Sequence, residues 1–230
     1  MRHRIFVETI EPSVTVTGDE FHHSIRVVRL RAGEEVELFD RLGNAARGVV
    51  ASIDRDRAVI TGGDPLPSRE SPLAIHLAMA IIQLEKFELV LQKATELGAR
   101  SIIPLVTERV DLRPERYSGK SERWERIVFE AVKQCGRARV PAIEAPATFA
   151  SILKRDGAKI LFDADAEPAR VEAFREITLL IGPEGGWSEP ELELARGHGV
   201  LFQRLGPRRL RAETAAIVAL SVTGSRFGDL

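Results

Sequence analysis

Residues Ile181 to Glu191 read IGPEGGWSEPE, and this stretch decides the fold. The preceding run Ile177–Ile181 (ITLLI) is short and continuously apolar, as in a strand buried on both faces. Ser188 and Glu191 stand three apart like a capping box, with Pro190 in what would be the first helical turn. GPEGGW is therefore a strand-to-helix loop. In an open α/β sheet such loops lie at the carboxyl ends of the strands, where ligands bind, and glycines allow close backbone approach. The pattern returns some twenty residues on as QRLGPRRLRAETAA, from Gln203 to Ala216: an apolar strand, a Gly-Pro turn and a polar entry into a helix. Either turn alone is explained by turn chemistry. Two together can face one ligand.

Working outward, apolar runs alternate with helical patterns from Leu73 to the end. Strand-like LAIHLAMAII (73–82) is followed by helical KFELVLQKATEL (86–97) and strand-like SIIPLV (101–106). In the segment that follows, Trp124, Ile127, Val128, Ala131, Val132 and Cys135 fall at offsets 0, 3, 4, 7, 8 and 11, an amphipathic helix with Cys135 on its core face. KILFDAD (159–165), ITLLIG, EPELELARGHG, VLFQRLG and AETAAIVALSVTGSRF continue the alternation, which implies a mostly parallel sheet covered by helices. The first sixty residues differ. Arg4–Val7, Ser13–Val16, Glu34–Asp40, Ala46–Ile53 and Arg57–Thr61 read as short strands of a small β-barrel or sandwich, interrupted by a helix through FHHSIRVVRLRAG that ends at Gly33. The Gly-, Pro- and Ser-rich stretch Gly62–Pro72 separates a domain of residues 1–70 from one of residues 73–230.

Composition limits the function. Against 33 Lys plus Arg stand 34 Asp plus Glu, a net charge of -1, so the chain is no polycation and any RNA contact must rest on local patches. One cysteine excludes an internal disulfide and a multi-cysteine zinc site, and no metal is expected. Neither a signal-peptide core nor a membrane-length apolar run is present, so a cytoplasmic, membrane-free protein is expected. No phosphate-loop or dinucleotide fingerprint accompanies the two glycine loops, so their ligand is of another kind.

The segments IGPEGG, LGPRRLRAETA, KATELGA and EAVKQCGR, with MRHRIFV and HHSIRVVRLRAGEEVELFD at the start, resemble the RsmE-type RNA methyltransferases across the whole chain. That resemblance implies a SPOUT-type C-terminal domain, an α/β fold with a trefoil knot that binds S-adenosylmethionine, preceded by a PUA-like β-barrel that holds RNA. It also implies a homodimer acting on ring nitrogen 3 of a uridine in small-subunit (16S) ribosomal RNA. The chain departs from the family pattern at Gln83 and Leu84, where a lysine and a glycine are usual.

Carried onto this sequence, the resemblance places the cofactor against Leu161 and Phe162, the loop Ile181, Gly182, Pro183, Glu184, Gly185 and Gly186, and the segment Leu205, Gly206, Leu210, Arg211, Thr214 and Ala215. Methylation of a ring nitrogen requires loss of its proton, hence a base or a cation that stabilises the developing anion. Arg211 is the candidate cation, and Glu184 and Glu213 are the candidate carboxylates; each carboxylate reads more readily as a positioning group than as the base. Candidate RNA contacts are Arg2 and Arg4 flanking His3; His22, Arg26 and Arg29 at offsets 0, 4 and 7, in a stretch without acidic residues from His22 to Ala32; Gln134 and Arg137; and Arg208 and Arg209. Residues 1–70 contain 10 Arg and 12 Asp plus Glu, which favours docking on an assembled subunit over a loose grip on RNA. A ribose 2′-O-methyltransferase or a non-catalytic assembly factor would share these features.

Overall fold

The computed structural model describes residues 3–110, 119–170 and 172–230, so the candidate Arg2 lies outside the described residues. The chain forms two compact units, Met1–Glu70 with Val132–Val140, and Ser71–Ala131 with Pro141–Leu230.

The first unit is a curled five-stranded sheet. Strands β1 (His3–Phe6), β2 (Ser13–Val16), β3 (Glu35–Phe39), β4 (Ala45–Ile53) and β5 (Ala58–Pro65) pair in the order β1-β3-β4-β5-β2. Only β1 and β3 are parallel among these pairs. Alternating residues bury Ile5, Val16, Val36, Leu38, Val50 and Ile60 in one core. The pairing of β4 with β5 slips at Arg47/Gly48 and at Val50/Ser52. Such irregularities bend a sheet. Gly62, at φ 144°, stands where a Cβ would come within 2.5 Å of the Arg47 carbonyl oxygen. β5 thus continues through residues that read as linker, because glycine lets the two backbones approach there.

Between β2 and β3 the expected helix is shorter and of another kind. One turn, α1 (Gly18–Phe21), passes into a π-helical turn, His22–Val27, in which the Val28 N–H bonds back five residues to the His23 carbonyl at 2.9 Å. The chain leaves it through Arg29 at φ 66°. The α-helical stripe His22, Arg26 and Arg29 is therefore broken: the wider turn changes the spacing and Arg29 lies beyond the helix. All three side chains remain exposed.

Two other arginines assigned to RNA are turned inward. Arg4 is 7% exposed; its Nε donates to Glu37 at 2.9 Å, and its terminal nitrogens donate to the carbonyls of Val132 at 2.8 Å and Arg137 at 2.7 Å. Arg137 is 5% exposed and pairs with Glu70, whose other carboxylate oxygen accepts the backbone N–H groups of Ala138 and Arg139. These guanidiniums tie residues 132–140 to the five-stranded sheet and are spent on protein partners, withdrawn from solvent. Burial alone would push the Glu70 carboxyl up, but the bonds from Arg137 and the two amides outweigh it and hold the carboxyl below its ordinary range.

The second unit is built on parallel strands: β6 (Ala74–Ala80), β7 (Ser101–Val106), β8 (Ala142–Ile143), β9 (Ala147–Thr148), β10 (Ala158–Phe162), β11 (Glu176–Ile181) and β12 (Leu201–Gln203). Their order is β12-β10-β11-β6-β7-β8, with β9 also paired to β7. Helices α2 (Leu84–Glu96), α3 (Ser121–Cys135), α4 (Phe149–Leu153), α5 (Glu189–Gly197) and α6 (Ala212–Phe227) complete the chain's elements. Central strands are buried on both faces, which is why they read as mostly continuous apolar runs. Strands β8 and β9 and helix α4 escape a sequence reading because none exceeds five residues.

A cavity at the carboxyl ends of the parallel strands

Helix α5 begins as its sequence dictates. The Ser188 hydroxyl accepts the Glu191 N–H, and Glu191 Oε2 accepts the Ser188 N–H at 2.9 Å, a reciprocal cap that satisfies two otherwise orphaned donors. Glu191 Oε1 also accepts the N–H of Glu108 beyond β7, at 3.0 Å. The carboxylate thus fixes the start of α5 to the adjoining strand end, and GPEGG is held as a fixed loop. Within it the Gly186 N–H closes a turn on the Pro183 carbonyl at 2.9 Å.

Around this loop lies a cavity of about 690 Å³, within the range of small-ligand sites. Its walls are the ends of β10 and β11 with the loops that follow them, and the segment from β12 into α6. Of the predicted cofactor residues, Phe162, Ile181 to Gly186, Leu205, Gly206, Leu210, Arg211 and Ala215 line it. Leu161 does not: it is fully buried one residue further back, packed in the core with Leu180. Thr214 is exposed outside the lining. Sequence reading missed Arg109, Asp163, Asp165, Trp187 and Phe202, which the fold brings to the same space. Trp187 was visible in the motif as the residue after GPEGG. Arg109, three residues beyond β7, carries no local signal.

The charged groups have distinct settings. Arg211 is the N-cap residue of α6, in extended conformation and exposed, and its side chain makes no capping bond. Among the described residues its side chain has no hydrogen-bond or ion-pair partner, and it lines the cavity. Glu184 also lines the cavity, but it is paired with Lys86 on the first turn of α2 at 3.3 Å. Glu213 is not part of the lining, and its Oε2 is buried without a hydrogen-bond partner. Arg109 Nη1 donates to the Gly185 carbonyl at 2.9 Å, tying the loop to the residues beyond β7. Across the mouth Arg209 pairs with Asp165 at 2.8 Å, both side chains about four-fifths exposed. Among the described residues no group of His, Cys, Asp or Glu could hold a metal ion.

The cavity suits a ligand with an apolar flat part and a polar end. Ile181, Leu205, Leu210 and Ala215 offer an apolar slot beside free backbone, and carboxylates at Glu184 and Asp163 favour a cation nearby. Gln134 is exposed, as are Arg208 and Arg209. Gln83, at the departure from the family pattern, is the N-cap residue of α2, where its carbonyl accepts the N–H groups of Lys86 and Phe87.

Comparison with known proteins agrees with this geometry. Residues 69–224 match the family described as RNA methyltransferase domain, and residues 16–61 match the RNA methyltransferase PUA domain. The ribosomal RNA small subunit methyltransferase E of Bacillus subtilis is 31% identical over 229 residues, covering 91% of this chain and 89% of that protein. Its counterpart from Synechocystis is 34% identical over 235 residues, covering 96% and 77%. Among solved structures, the small-subunit methyltransferase E of Neisseria gonorrhoeae bound to S-adenosylmethionine superimposes with a TM-score of 0.88 at 28% identity, each chain covered completely. A Legionella pneumophila methyltransferase with bound S-adenosylmethionine gives 0.83 at 33% identity, again over both whole chains. A parallel α/β unit with two glycine loops at its strand ends, joined in sequence to a PUA domain, is thus accounted for: the chain belongs to the RNA methyltransferase family that includes the small-subunit ribosomal RNA methyltransferases E.

Proposed function

We propose that the protein methylates ring nitrogen 3 of a uridine in 16S ribosomal RNA, with S-adenosylmethionine as methyl donor. The observation that carries this reading is the cavity in which both glycine loops meet with Arg211 free at the wall. S-adenosylmethionine supplies an electrophilic methyl group on a sulfonium. The apolar residues of the two loops hold its adenine, and Glu184 and Asp163 favour its positive charge. Holding donor and acceptor in line supplies much of the rate. Arg211 directs its guanidinium at the uracil oxygens and stabilises the anion left as the N3 proton departs. Of the two candidate carboxylates, Glu184, paired with Lys86, lines the cavity, and Glu213, in the first turn of α6, does not.

Residues 1–70 hold RNA through exposed His22, Arg26 and Arg29, Gln134 is a further RNA contact on the same unit, and in the other unit the chain binds the cofactor within a trefoil knot and offers Arg208 and Arg209 to RNA. The active form is a homodimer. Helix α6 supports this, because it carries apolar residues around its circumference and leaves Val222 51% exposed. The site of action is the cytoplasm, and the substrate is the assembled small subunit; no helix among the described residues is long and apolar enough to cross a membrane. Transfer of radiolabelled methyl groups to purified small subunits and to naked rRNA, run in parallel, tests this reading. Label on the subunit supports it, and label on neither RNA sinks it.

A further inference from the structure

The chain has two tryptophans, Trp124 and Trp187, both buried. Their indole N–H groups differ. Trp124, on α3 against Phe87, has Nε1 buried without a hydrogen-bond partner. Trp187 Nε1 donates to the carbonyl of Phe162 at 3.0 Å. Phe162 is the last residue of β10, and Trp187 ends the loop after β11, so this bond joins the two strand ends that form the cavity floor. The Trp187 ring also lies against Phe149, with centroids 5.0 Å apart.

The same ring fills the space beside Gly182. A Cβ at that position would lie 3.0 Å from Trp187 Cε2 and 3.2 Å from Nε1, so close that the indole would have to give by a few tenths of an ångström. Glycine at the head of GPEGG therefore makes room for an indole, in addition to any approach of the backbone to a ligand. The indole is wedged between β11's first loop residue and α4, with its N–H fastened to β10.

We infer that Trp187 is a positioning residue of the methyltransferase: by bonding Phe162 and packing on Gly182 it sets the spacing between the β10 and β11 loops and so the affinity for S-adenosylmethionine. The inference rests on the cofactor reading above and deepens it. A ring without the N–H leaves the Phe162 carbonyl without this donor and frees the strand end to drift, while the methyl-transfer geometry at Arg211 is untouched once the cofactor is bound.

The test compares Trp187→Phe with Trp124→Phe in the full-length protein, both checked for native circular dichroism. Trp187→Phe should raise the Kd and the KM for S-adenosylmethionine about tenfold, the effect of losing one well-placed hydrogen bond, and change kcat at saturating cofactor less than about twofold. Trp124→Phe removes an N–H that has no partner among the described residues and should leave both within about twofold. Because Trp187 lines the cavity, the change in tryptophan fluorescence on adding S-adenosylmethionine should persist in Trp124→Phe and disappear in Trp187→Phe. In addition, Gly182→Ala should weaken cofactor binding in the wild-type background and much less in combination with Trp187→Leu. Wild-type affinity in Trp187→Phe, or a fluorescence response that follows Trp124, would overturn the inference alone. A wild-type protein that does not bind S-adenosylmethionine would overturn the functional reading and this inference with it.

Discussion

Replacing Arg211 by alanine separates catalysis from folding, because the structure gives its side chain nothing to hold. Arg211 precedes α6, is exposed, and has no hydrogen bond or ion pair to another described residue. An exposed side chain with no such contact contributes within about 0.5 kcal/mol of stability, so the melting temperature of Arg211→Ala should move by no more than a degree or two. Its charge faces the cavity proposed to hold the sulfonium, so removal should leave S-adenosylmethionine affinity unchanged or slightly improved. If the guanidinium stabilises the uracil anion, loss of one preorganised donor costs about 2.7 kcal/mol in the transition state, a hundredfold fall in kcat. Single-turnover methyl transfer at saturating cofactor, beside calorimetric titration of the cofactor, reads both quantities. Arg211→Lys retains the charge without the planar fork, and partial recovery would assign the effect to charge over bidentate geometry. A kcat within threefold of wild type in the alanine variant would refute the reasoning, as would a hundredfold loss accompanied by equal loss of cofactor binding.

Glu70→Gln takes from buried Arg137 the carboxylate it meets at 2.7 Å and should cost about 1.5–3 kcal/mol at neutral pH, the scale of a hydrogen bond to a charged group, read from denaturant midpoints. Because the folded Glu70 carboxyl lies below its ordinary value, the stability it confers is fully present above about pH 4.5 and is lost as pH falls through the folded value, so the gap between wild type and Glu70→Gln should close only in acid. Ser188→Ala removes one half of the cap of α5 and should lower stability by about 1 kcal/mol, a fall of about 2–4 °C in melting temperature. Arg208→Ala should reduce the slope of log affinity for RNA against log salt by about 0.7–0.9, whereas Arg4→Lys should lower stability and leave that slope unchanged, since Arg4 faces protein carbonyls.

What the sequence revealed follows from the range of the forces involved. The parallel sheet was legible because burial on both faces leaves β6, β10 and β11 as mostly apolar runs, and the start of α5 was legible because the reciprocal cap of Ser188 and Glu191 spans only three residues. Both glycine loops could be placed at one ligand for the same reason, since strand polarity puts them at one edge. The arginines could not be sorted. Arg4 and Arg137 look like surface charge until Glu37, Glu70 and the carbonyls of residues 132–137 are brought to them from more than thirty residues away. Nor does local sequence report that residues 132–140 cluster with the five-stranded sheet, because long-range ion pairs and carbonyl bonds hold them there. The π-helical turn His22–Val27 is hidden for a different reason: its composition suits an α-helix, and only the bond from Val28 to His23 shows the wider turn. At the cavity, Gly182 announced a close approach, but the partner in contact is Trp187, five residues on.

The central claim concerns which atom receives the methyl group. Small subunits lacking the modification, incubated with the wild-type protein and S-adenosylmethionine, can be digested to nucleosides and analysed by mass spectrometry against synthetic standards. The account predicts 3-methyluridine, formed in the presence of the wild type and reduced about a hundredfold in rate with Arg211→Ala. A 2′-O-methylated nucleoside as the sole product, or no methylated product from a protein that binds the cofactor, would contradict it.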